Sequence, residues 1–294
     1  MNACPPLPAV TGGGAGGSPR GRVVLVGAGP GSLDLLTLKA ARLIAAADWL
    51  VHDALIQPDV LALATRARII SVGKRAGRKS TRQHEINRTL IDCARRGGLV
   101  VRLKGGDPLL FARAREELDS LRQAGIEVEV VPGITTAQAA YAALSAPMTE
   151  RGERRSVVFA TPQVARDDAQ RAGATVDQEA GTGDQPALTA ALDLQWARAL
   201  VNAGGGAVYM ASTVAGRTRA ALLSLGMPTD TPAVWMVNVS LPDQSVVSTT
   251  LGELQPLPEG LSGRPALLLL GTAAPSALHA PAPVREPAAA ALSS

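Results

Sequence analysis

Apolar runs and helical patterns alternate along the chain from residue 22 onwards. The run "RVVLVGA" predicts a strand, and "LDLLTLKAARLIAAA" after it has the spacing of a helix. Four more strands are predicted in this half of the chain: "DWLVHD", "ARIISVG", "GLVVRLKGG" and "IEVEVVPG". Helical patterns follow the first three of these: "PDVLALAT", "RQHEINRTLIDCARRG" and "ARAREELDSLRQAG". Because continuous Val/Ile/Leu strands that each precede a helix are typical of parallel sheets, we predict an α/β domain with a parallel sheet.

A second group of elements follows and predicts a second α/β domain. Its predicted strands are "SVVFATP", "GGGAVYMA", "AVWMVNVS" and "PALLLLG", and "TVAGRTRAALLSLG" predicts a helix between them. The resulting boundaries are an N-terminal domain over 21–134, a linker over 135–155 and a C-terminal domain over 156–271. Pro, Gly and Ala-rich composition predicts disordered tails at 1–20 and 272–294, and polar composition predicts a mobile insertion near 166–190.

Composition narrows the class of protein. The 294 residues are 46% hydrophobic, which is enough for one large or two ordinary domains. No apolar run approaches the ~20 residues of a membrane span, and the N-terminus lacks the pattern of a secretory signal. The two cysteines, Cys4 and Cys93, fit neither a disulfide framework nor a metal-ligand spacing. We therefore expect a cytoplasmic protein with no membrane partner and no metal.

The net charge of +4 is compatible with two kinds of partner. Basic proteins often bind nucleic acid, but only 2% of the residues are aromatic, so stacking platforms for single strands are scarce. An acidic small-molecule substrate explains clustered Arg and Lys equally well. We expect such a substrate and no nucleic acid.

The glycine-rich turn after the first predicted strand differs from a dinucleotide fingerprint. Gly27 and Gly29 fit G-x-G-x-x-G, but Ser32 stands where the third glycine belongs. Pro30 has no backbone N–H, and a phosphate cradle is built from such groups. The turn therefore favours a ligand without phosphate that the backbone approaches closely, and a tight turn without any ligand is the alternative.

Several motifs in order resemble one family. They are "VGAGPG", "VHDALI", "VGKRAGRKS", "EIN", "RLKGGDP", "VPGIT" and "GRPALLLLG". Over about residues 22–271 the chain resembles the uroporphyrinogen-III C-methyltransferases of the tetrapyrrole methyltransferase family, in their stand-alone form. The resemblance implies two methyl transfers from S-adenosylmethionine to uroporphyrinogen III, which give precorrin-2 for sirohaem or cobalamin. It also implies two α/β domains with the active site in the cleft between them, and a homodimer.

The resemblance also implies roles for individual residues. Asp53 and Lys74 match the two acid/base positions of the family; for Asp53 a helix N-cap is the alternative, and for Lys74 an anchor for a substrate carboxylate. Gly105 and Gly106 would let backbone approach the cofactor, and Asp107 offers a carboxylate to a cationic ligand. The full set of cofactor positions is Pro30, Gly105, Gly106, Asp107, Leu110, Thr135, Thr136 and Met210.

The substrate that the family implies carries eight carboxylates, so cations are needed to hold it. Charge-assisted hydrogen bonds contribute about 1.5–3 kcal/mol each. The candidates are Arg75, Arg78, Arg102, Arg113 and Arg151. A solvated surface charge is the alternative for each of them.

The chain departs from the pattern of the family at several positions. His52 stands where Tyr is common and Ser32 where Asp is common. The segments "FARAREE", "TPQ" and "VNVS" replace F-G-R-G-G-E-E, T-G-H and E-N-G-T, so that Val239 stands at a glycine position. These altered cofactor contacts make a non-catalytic relative one alternative. Two further alternatives are a methyltransferase for a later corrinoid intermediate and a nicotinamide-dependent dehydrogenase.

Overall fold

Residues 21–73, 83–152, 154–163 and 194–273 are described by the computed structural model. They form two units. The N-terminal unit consists of the chain up to Ala28 together with Leu36–Gly133, and the C-terminal unit consists of Gly29–Leu35 together with the chain from Ile134 onwards. The predicted domain boundaries at 134/135 and 155/156 stay a prediction. The predicted segments 1–20 and 166–190, and the predicted tail 272–294 from residue 274 onwards, lie outside the described residues.

The N-terminal unit contains a parallel five-stranded sheet, as predicted. Its strands are β1 (Arg22–Gly27), β2 (Trp49–His52), β3 (Arg68–Ser71), β4 (Leu99–Lys104) and β5 (Val128–Val131). They lie side by side in the order β3-β2-β4-β1-β5. The helices of the unit are α1 (Leu38–Ala46), α2 (Pro58–Ala62), α3 (Gln83–Arg95) and α4 (Ala114–Gln123).

Helices cover both faces of this sheet, which explains the uninterrupted apolar runs. Val24 and Val26 of β1 pack in a cluster with residues of α1 and α2. Val23 and Leu25 point to the other face and pack with residues of α3 and α4. Because successive side chains of a strand alternate between faces, a strand buried on both sides needs apolar residues at every position.

The first helix begins later than its pattern predicts. Leu33–Leu35 form a separate 3-10 turn, and α1 starts at Leu38. The hydroxyl of Thr37 accepts a hydrogen bond from the backbone N–H of Ala40 at 3.1 Å and so caps the helix. The cap supplies a partner for one of the unpaired N–H groups of the first turn, which fixes the start of α1.

The strand order creates a topological switch point between β1 and β4. The connection after β1 leads past β4 to β2, whereas the connection after β4 leads through α4 past β1 to β5. These two neighbouring strands are thus followed by connections that run in opposite directions. In open α/β sheets, ligands bind outside the carboxyl ends of the strands at such a point. The ends of β1 and β4 are Gly27 and Lys104.

The C-terminal unit contains a mixed sheet. Its strands are β6 (Phe159–Ala160), β7 (Gly206–Tyr209), β8 (Pro232–Val237), β9 (Ser245–Thr250) and β10 (Ala266–Leu270), in the order β6-β7-β10-β8-β9. Only the β6–β7 pair among these described strands is parallel. The helices are α5 (Thr136–Ala143), α6 (Gln195–Ala203) and α7 (Ala215–Ser224).

Strand β9 and the helices α5 and α6 of this unit were not predicted. Strand β9 reads "SVVSTT", has no fully buried residue and lies at a sheet edge, so it lacks the apolar run that marks the other strands. Helix α5 lies in the stretch predicted as a linker. Its residues Ala137, Ala140 and Tyr141 are buried in a cluster with Met236 and Leu269. Small alanines give little periodic signal, but they let a helix pack closely.

Within the described ranges, no helix combines the length and apolarity that a membrane span requires.

Cys93 provides a test of the packing of α3. The residue is 4% exposed in the cluster beneath that helix, and this burial raises the pKa of its thiol above the usual range. We expect a thiol reagent at pH 9 to label Cys93 at least about a hundredfold more slowly in the folded protein than in urea, because the thiolate is the reactive form and labelling requires local opening. The measurement uses a Cys4→Ser background, and equal labelling rates in both solvents would contradict the packing.

Candidate active site

Three glycine backbones meet at the carboxyl edge of the N-terminal sheet. A Cβ atom added to Gly27 would lie 2.6 Å from the carbonyl oxygen of Gly106 and 2.6 Å from the Cα atom of Gly133. Any side chain at position 27 would therefore collide with backbone that is unable to move aside. Gly106 itself has φ +66°, a backbone conformation that is unfavourable for residues other than glycine. The ends of β1 and β5 and the loop after β4 are thus packed backbone against backbone.

Gly105 is the glycine whose surface stays open. A Cβ atom at this position would meet no described atom within 4 Å, and the residue is exposed. Its φ does not lie in the left-handed region. Neither packing nor backbone strain therefore requires glycine here, whereas close approach by a ligand would.

Asp107 fixes the loop that carries these glycines. Its Oδ1 accepts a hydrogen bond from the N–H of Leu109 at 2.8 Å, and its Oδ2 accepts one from the N–H of Gly133 at 3.1 Å. The second bond links the loop to the chain that follows β5. Each carboxylate oxygen has a further lone pair, so the group keeps acceptor capacity for a cationic ligand.

Asp53 lies at the end of β2 and forms an ion pair with β4. Its Oδ1 accepts a hydrogen bond from Nη2 of Arg102 at 2.7 Å, and its side chain is 36% exposed. The alternative interpretation of Asp53 as a helix N-cap is wrong, because Gln57 occupies the N-cap position of α2. Asp53 therefore presents a partly exposed carboxylate whose inner oxygen is held by a guanidinium.

Arg102 is buried too deeply for direct contact with a substrate. Its side chain is 2% exposed, and its donors are directed at Asp53, at Oε1 of Glu117 and at the carbonyl oxygen of Leu103. The prediction that Arg102 grips a substrate carboxylate is corrected on this ground. A buried guanidinium with these partners is part of the internal structure of the site.

Glu117, which pairs with Lys104, was missed as a site residue by the sequence analysis. Nζ of Lys104 lies 2.8 Å from Oε1 of Glu117, and the two side chains are 4% and 0% exposed. Burial, together with the charge of Arg102, lowers the pKa of Lys104. A signal was present for Glu117: it lies between Ala114 and Leu121, both of which are buried, on the apolar face of α4.

Arg113 and Arg151 differ from Arg102 in exposure. Arg113 immediately precedes α4 with φ +52° and donates to both oxygens of Glu116 at 2.7 Å, and about half of its side chain is exposed. Arg151 lies in an exposed turn. Both are accessible to an anionic ligand.

Leu110, a predicted cofactor residue, is half-buried, and its N–H donates to the carbonyl oxygen of Asp107.

The C-terminal unit contains the other predicted cofactor residues. Pro30 is half-buried, and Met210 is 45% exposed directly after β7 with φ +56°. Thr135 caps α5: its hydroxyl accepts from the N–H of Gln138, whose side chain accepts from the N–H of Thr135. Thr136 is the first residue of that helix. Thr135 therefore has a structural role in addition to the one that the resemblance implies.

The "VNVS" departure places a valine in the core of this unit. Val239 is 4% exposed and packs in a cluster with Met236 and Leu267. The hydroxyl of Ser240 accepts a hydrogen bond from the N–H of Ser32 at 3.0 Å, which holds the glycine-rich turn against the chain after β8. Val239 is thus accommodated by packing.

Lys74, Arg75 and Arg78 lie outside the described residues, so their predicted roles stay predictions.

Comparison with known proteins identifies the family. A sequence profile of the Tetrapyrrole (Corrin/Porphyrin) Methylases matches residues 22–255. The chain belongs to this family. The predicted resemblance to tetrapyrrole methyltransferases is therefore confirmed.

Two curated relatives and one solved structure are informative about this tetrapyrrole methylase. Siroheme synthase of Zymomonas mobilis is 38% identical over 253 residues, which cover 86% of this chain and 49% of the relative. The S-adenosyl-L-methionine-dependent uroporphyrinogen III methyltransferase, chloroplastic, of Arabidopsis thaliana is 42% identical over 232 residues, which cover 79% and 57%. The chain spans about half the length of the curated relatives it matches.

The solved structure is similar over nearly its whole length. Uroporphyrin-III C-methyl transferase from Thermus thermophilus, complexed with S-adenyl homocysteine, matches with a TM-score of 0.65 and 33% identity. The match covers 85% of this chain and 97% of that chain. The predicted tetrapyrrole methylase fold is confirmed.

The two glycines after β4 should respond differently to alanine. We expect Gly106→Ala to lower the free energy of unfolding by about 1–2 kcal/mol, since it places a Cβ atom at φ +66°. Gly105→Ala should leave stability unchanged or raise it by up to about 1 kcal/mol, since its Cβ atom meets open space. Urea unfolding of both variants measures the difference, and equal losses would contradict the geometry of the loop.

Proposed function

We propose that this chain is an S-adenosylmethionine-dependent C-methyltransferase that methylates uroporphyrinogen III twice to give precorrin-2. The observation that carries the proposal is the match to the Thermus thermophilus enzyme over 97% of that chain, in a structure with S-adenyl homocysteine bound. The names of the Zymomonas and Arabidopsis relatives support the same pathway. Membership of a methylase family argues against the dehydrogenase alternative, as does Pro30 in the glycine-rich turn.

The residues present fit S-adenosylmethionine. Gly105 leaves backbone open at the carboxyl end of β4, where a Cβ atom would otherwise stand. Asp107 keeps lone pairs for a positively charged group, and the polarizable Met210 side chain is exposed. We assign Pro30, Gly105, Gly106, Asp107, Leu110, Thr135, Thr136 and Met210 to cofactor binding. When bound, the cofactor supplies an activated methyl group on a sulfonium.

The chain itself has two tasks in this reaction, which are positioning and removal of a proton. Positioning alone can supply a large part of the rate, since well-oriented reactants reach effective molarities of ~10⁵–10⁸ M. After a ring carbon has accepted the methyl group, a proton must leave the macrocycle. We assign Asp53 as the acceptor of that proton, because its carboxylate is partly exposed and its inner oxygen is already fixed. Lys74 is the second acid/base residue of the proposal.

We assign binding of the anionic substrate to exposed arginine side chains. Arg113 and Arg151 are the accessible arginines among the described candidates, and Arg75 and Arg78 complete the proposed set. Arg102 is assigned to the interior of the site. We further infer a homodimer that acts in the cytoplasm, without nucleic acid or a membrane as partner.

Product analysis tests the proposed activity. Purified protein incubated with uroporphyrinogen III and S-adenosylmethionine should give a tetrapyrrole heavier by two methylene units, with two equivalents of S-adenosylhomocysteine. Mass spectrometry detects both products. Turnover of a corrinoid precursor without turnover of uroporphyrinogen III would indicate the corrinoid alternative, and no methyl transfer to either would indicate a non-catalytic relative.

Gly105 tests the cofactor site directly. We expect Gly105→Val to weaken binding of S-adenosylhomocysteine by at least about tenfold, or 1.4 kcal/mol, because the added side chain would occupy the space of the ligand and not of the protein. Calorimetric titration measures the affinity. Gly260→Val is the matched control, since a Cβ atom at that position also meets no described atom within 4 Å. Unchanged affinity in folded Gly105→Val would remove this loop from the site.

A further inference from the structure

Four charged side chains form a connected cluster in the N-terminal unit. Oε1 of Glu117 accepts hydrogen bonds from Nζ of Lys104 at 2.8 Å and from Nη2 of Arg102 at 3.2 Å. The same Nη2 also donates a hydrogen bond to Oδ1 of Asp53 at 2.7 Å. Side-chain exposure is 2% for Arg102, 4% for Lys104 and 0% for Glu117, but 36% for Asp53. The cluster thus runs from the interior to one partly exposed carboxylate.

The interior part of this cluster is costly to bury. Removing a charge from water costs several kcal/mol, and buried ion pairs seldom exceed the stability of apolar side chains of the same volume. The charge of Glu117 is incompletely compensated, since its Oε2 is buried and makes no hydrogen bond to any described residue. Stability alone therefore accounts poorly for three buried charges beneath β4.

Arg102 connects the two ends of the cluster through the shape of its head group. Its Nη2 touches both carboxylates, its Nε donates to Glu117 at 3.3 Å, and its Nη1 donates to the carbonyl oxygen of Leu103 at 3.3 Å. The planar guanidinium fixes the directions of these donors relative to one another. A lysine would keep the charge but not the fork, so it is unable to reproduce this bridge.

Asp53 is also restrained through its backbone. Nδ1 of His52 lies 2.8 Å from the carbonyl oxygen of Asp53, and a carbonyl oxygen only accepts, so Nδ1 carries the proton. His52 is 8% exposed, which limits the movement of its ring. The main chain and one carboxylate oxygen of Asp53 are therefore both held. No residue in the described ranges donates a hydrogen bond to Oδ2, and 36% of the Asp53 side chain is exposed.

We propose that Arg102, braced by Glu117 and Lys104, is a positioning residue that fixes the carboxylate of Asp53 with Oδ2 ready to accept a proton. The inference rests on the proposed function, in which Asp53 takes the proton that leaves the methylated macrocycle. Arg102 touches neither substrate nor cofactor and acts only through Asp53. The buried charges below it serve to hold its guanidinium in one orientation.

A double-mutant cycle on turnover tests this role. Asp53→Asn should lower kcat by about 10²–10⁴-fold, the usual contribution of a general base. Arg102→Lys alone should lower kcat by about tenfold to a hundredfold, while the affinity for S-adenosylhomocysteine stays at that of the wild type. In the Asp53→Asn background, Arg102→Lys should change kcat by no more than about twofold. An equal fall in both backgrounds, or no fall in either, overturns the proposal.

Arg66→Lys is the matched control. Arg66 forms an ion pair of similar length with Asp48, 2.9 Å, but both side chains are well exposed. This variant should leave kcat unchanged. If Arg102→Lys does not fold, Glu117→Gln takes its place, because it removes the charge beneath Arg102 and keeps the shape of the side chain. Its effect on kcat should likewise vanish in the Asp53→Asn background, and persistence of the effect overturns the proposal.

A second cycle separates this inference from the proposed activity. The wild type, both single variants and the double variant are unfolded in urea without any ligand. We expect the double variant to unfold at nearly the same urea concentration as the less stable single variant, because either change breaks the same ion pair. Additive losses overturn the positioning role even in an active enzyme. An inactive wild type that shows the coupling would instead count against the proposed activity.

Discussion

The close approach of three backbone segments is the constraint on which the N-terminal unit depends. Gly27 ends β1, Gly133 follows β5, and both lie against the carbonyl oxygen of Gly106. This contact brings the loop after β4 over the end of its neighbouring strand at the topological switch point. That loop turns through Gly106 with φ +66°, and the surface of the preceding residue, Gly105, is open. The packing that closes the sheet edge thus also creates the exposed backbone that a ligand could approach.

The alternation of side chains along β4 explains why charge lies beneath this edge. Val101 and Leu103 face the helices α1 and α2, whereas Val100 packs in the cluster with α3 and α4. Arg102 and Lys104 follow Val100 at intervals of two, so they point to the same face as Val100. Glu117 of α4 meets them there at 3.2 and 2.8 Å. The strand therefore stays apolar near its start and becomes charged only near the site.

The sequence was sufficient for the fold of the N-terminal unit and for less of the site. Five apolar runs predicted its strands, and the clearest of them is β1, where burial on both faces leaves an apolar signal at nearly every position. Strand β9 and helix α5 were not predicted, because a half-exposed edge strand and an alanine-rich helix both give a weak hydrophobic periodicity. In the site, Arg102 was assigned to the substrate because a sequence shows charge but not burial. Its partner Asp53 is 49 residues away, and only the register of β2 beside β4 brings the two together.

The departures from the family pattern acquire a physical meaning in the structure. A branched residue at position 239 would be expected to disturb a glycine site, but Val239 is buried in the core of the C-terminal unit. The next residue, Ser240, uses its hydroxyl to accept the N–H of Ser32, a contact that a threonine hydroxyl could also make. At position 52, where tyrosine is common in the family, the imidazole of His52 donates to the backbone of Asp53. His52 and Ser240 each make a hydrogen bond that orders the chain close to a proposed site residue, Asp53 and Pro30 respectively. We infer that these substitutions modify the support of the site and leave its reacting groups in place.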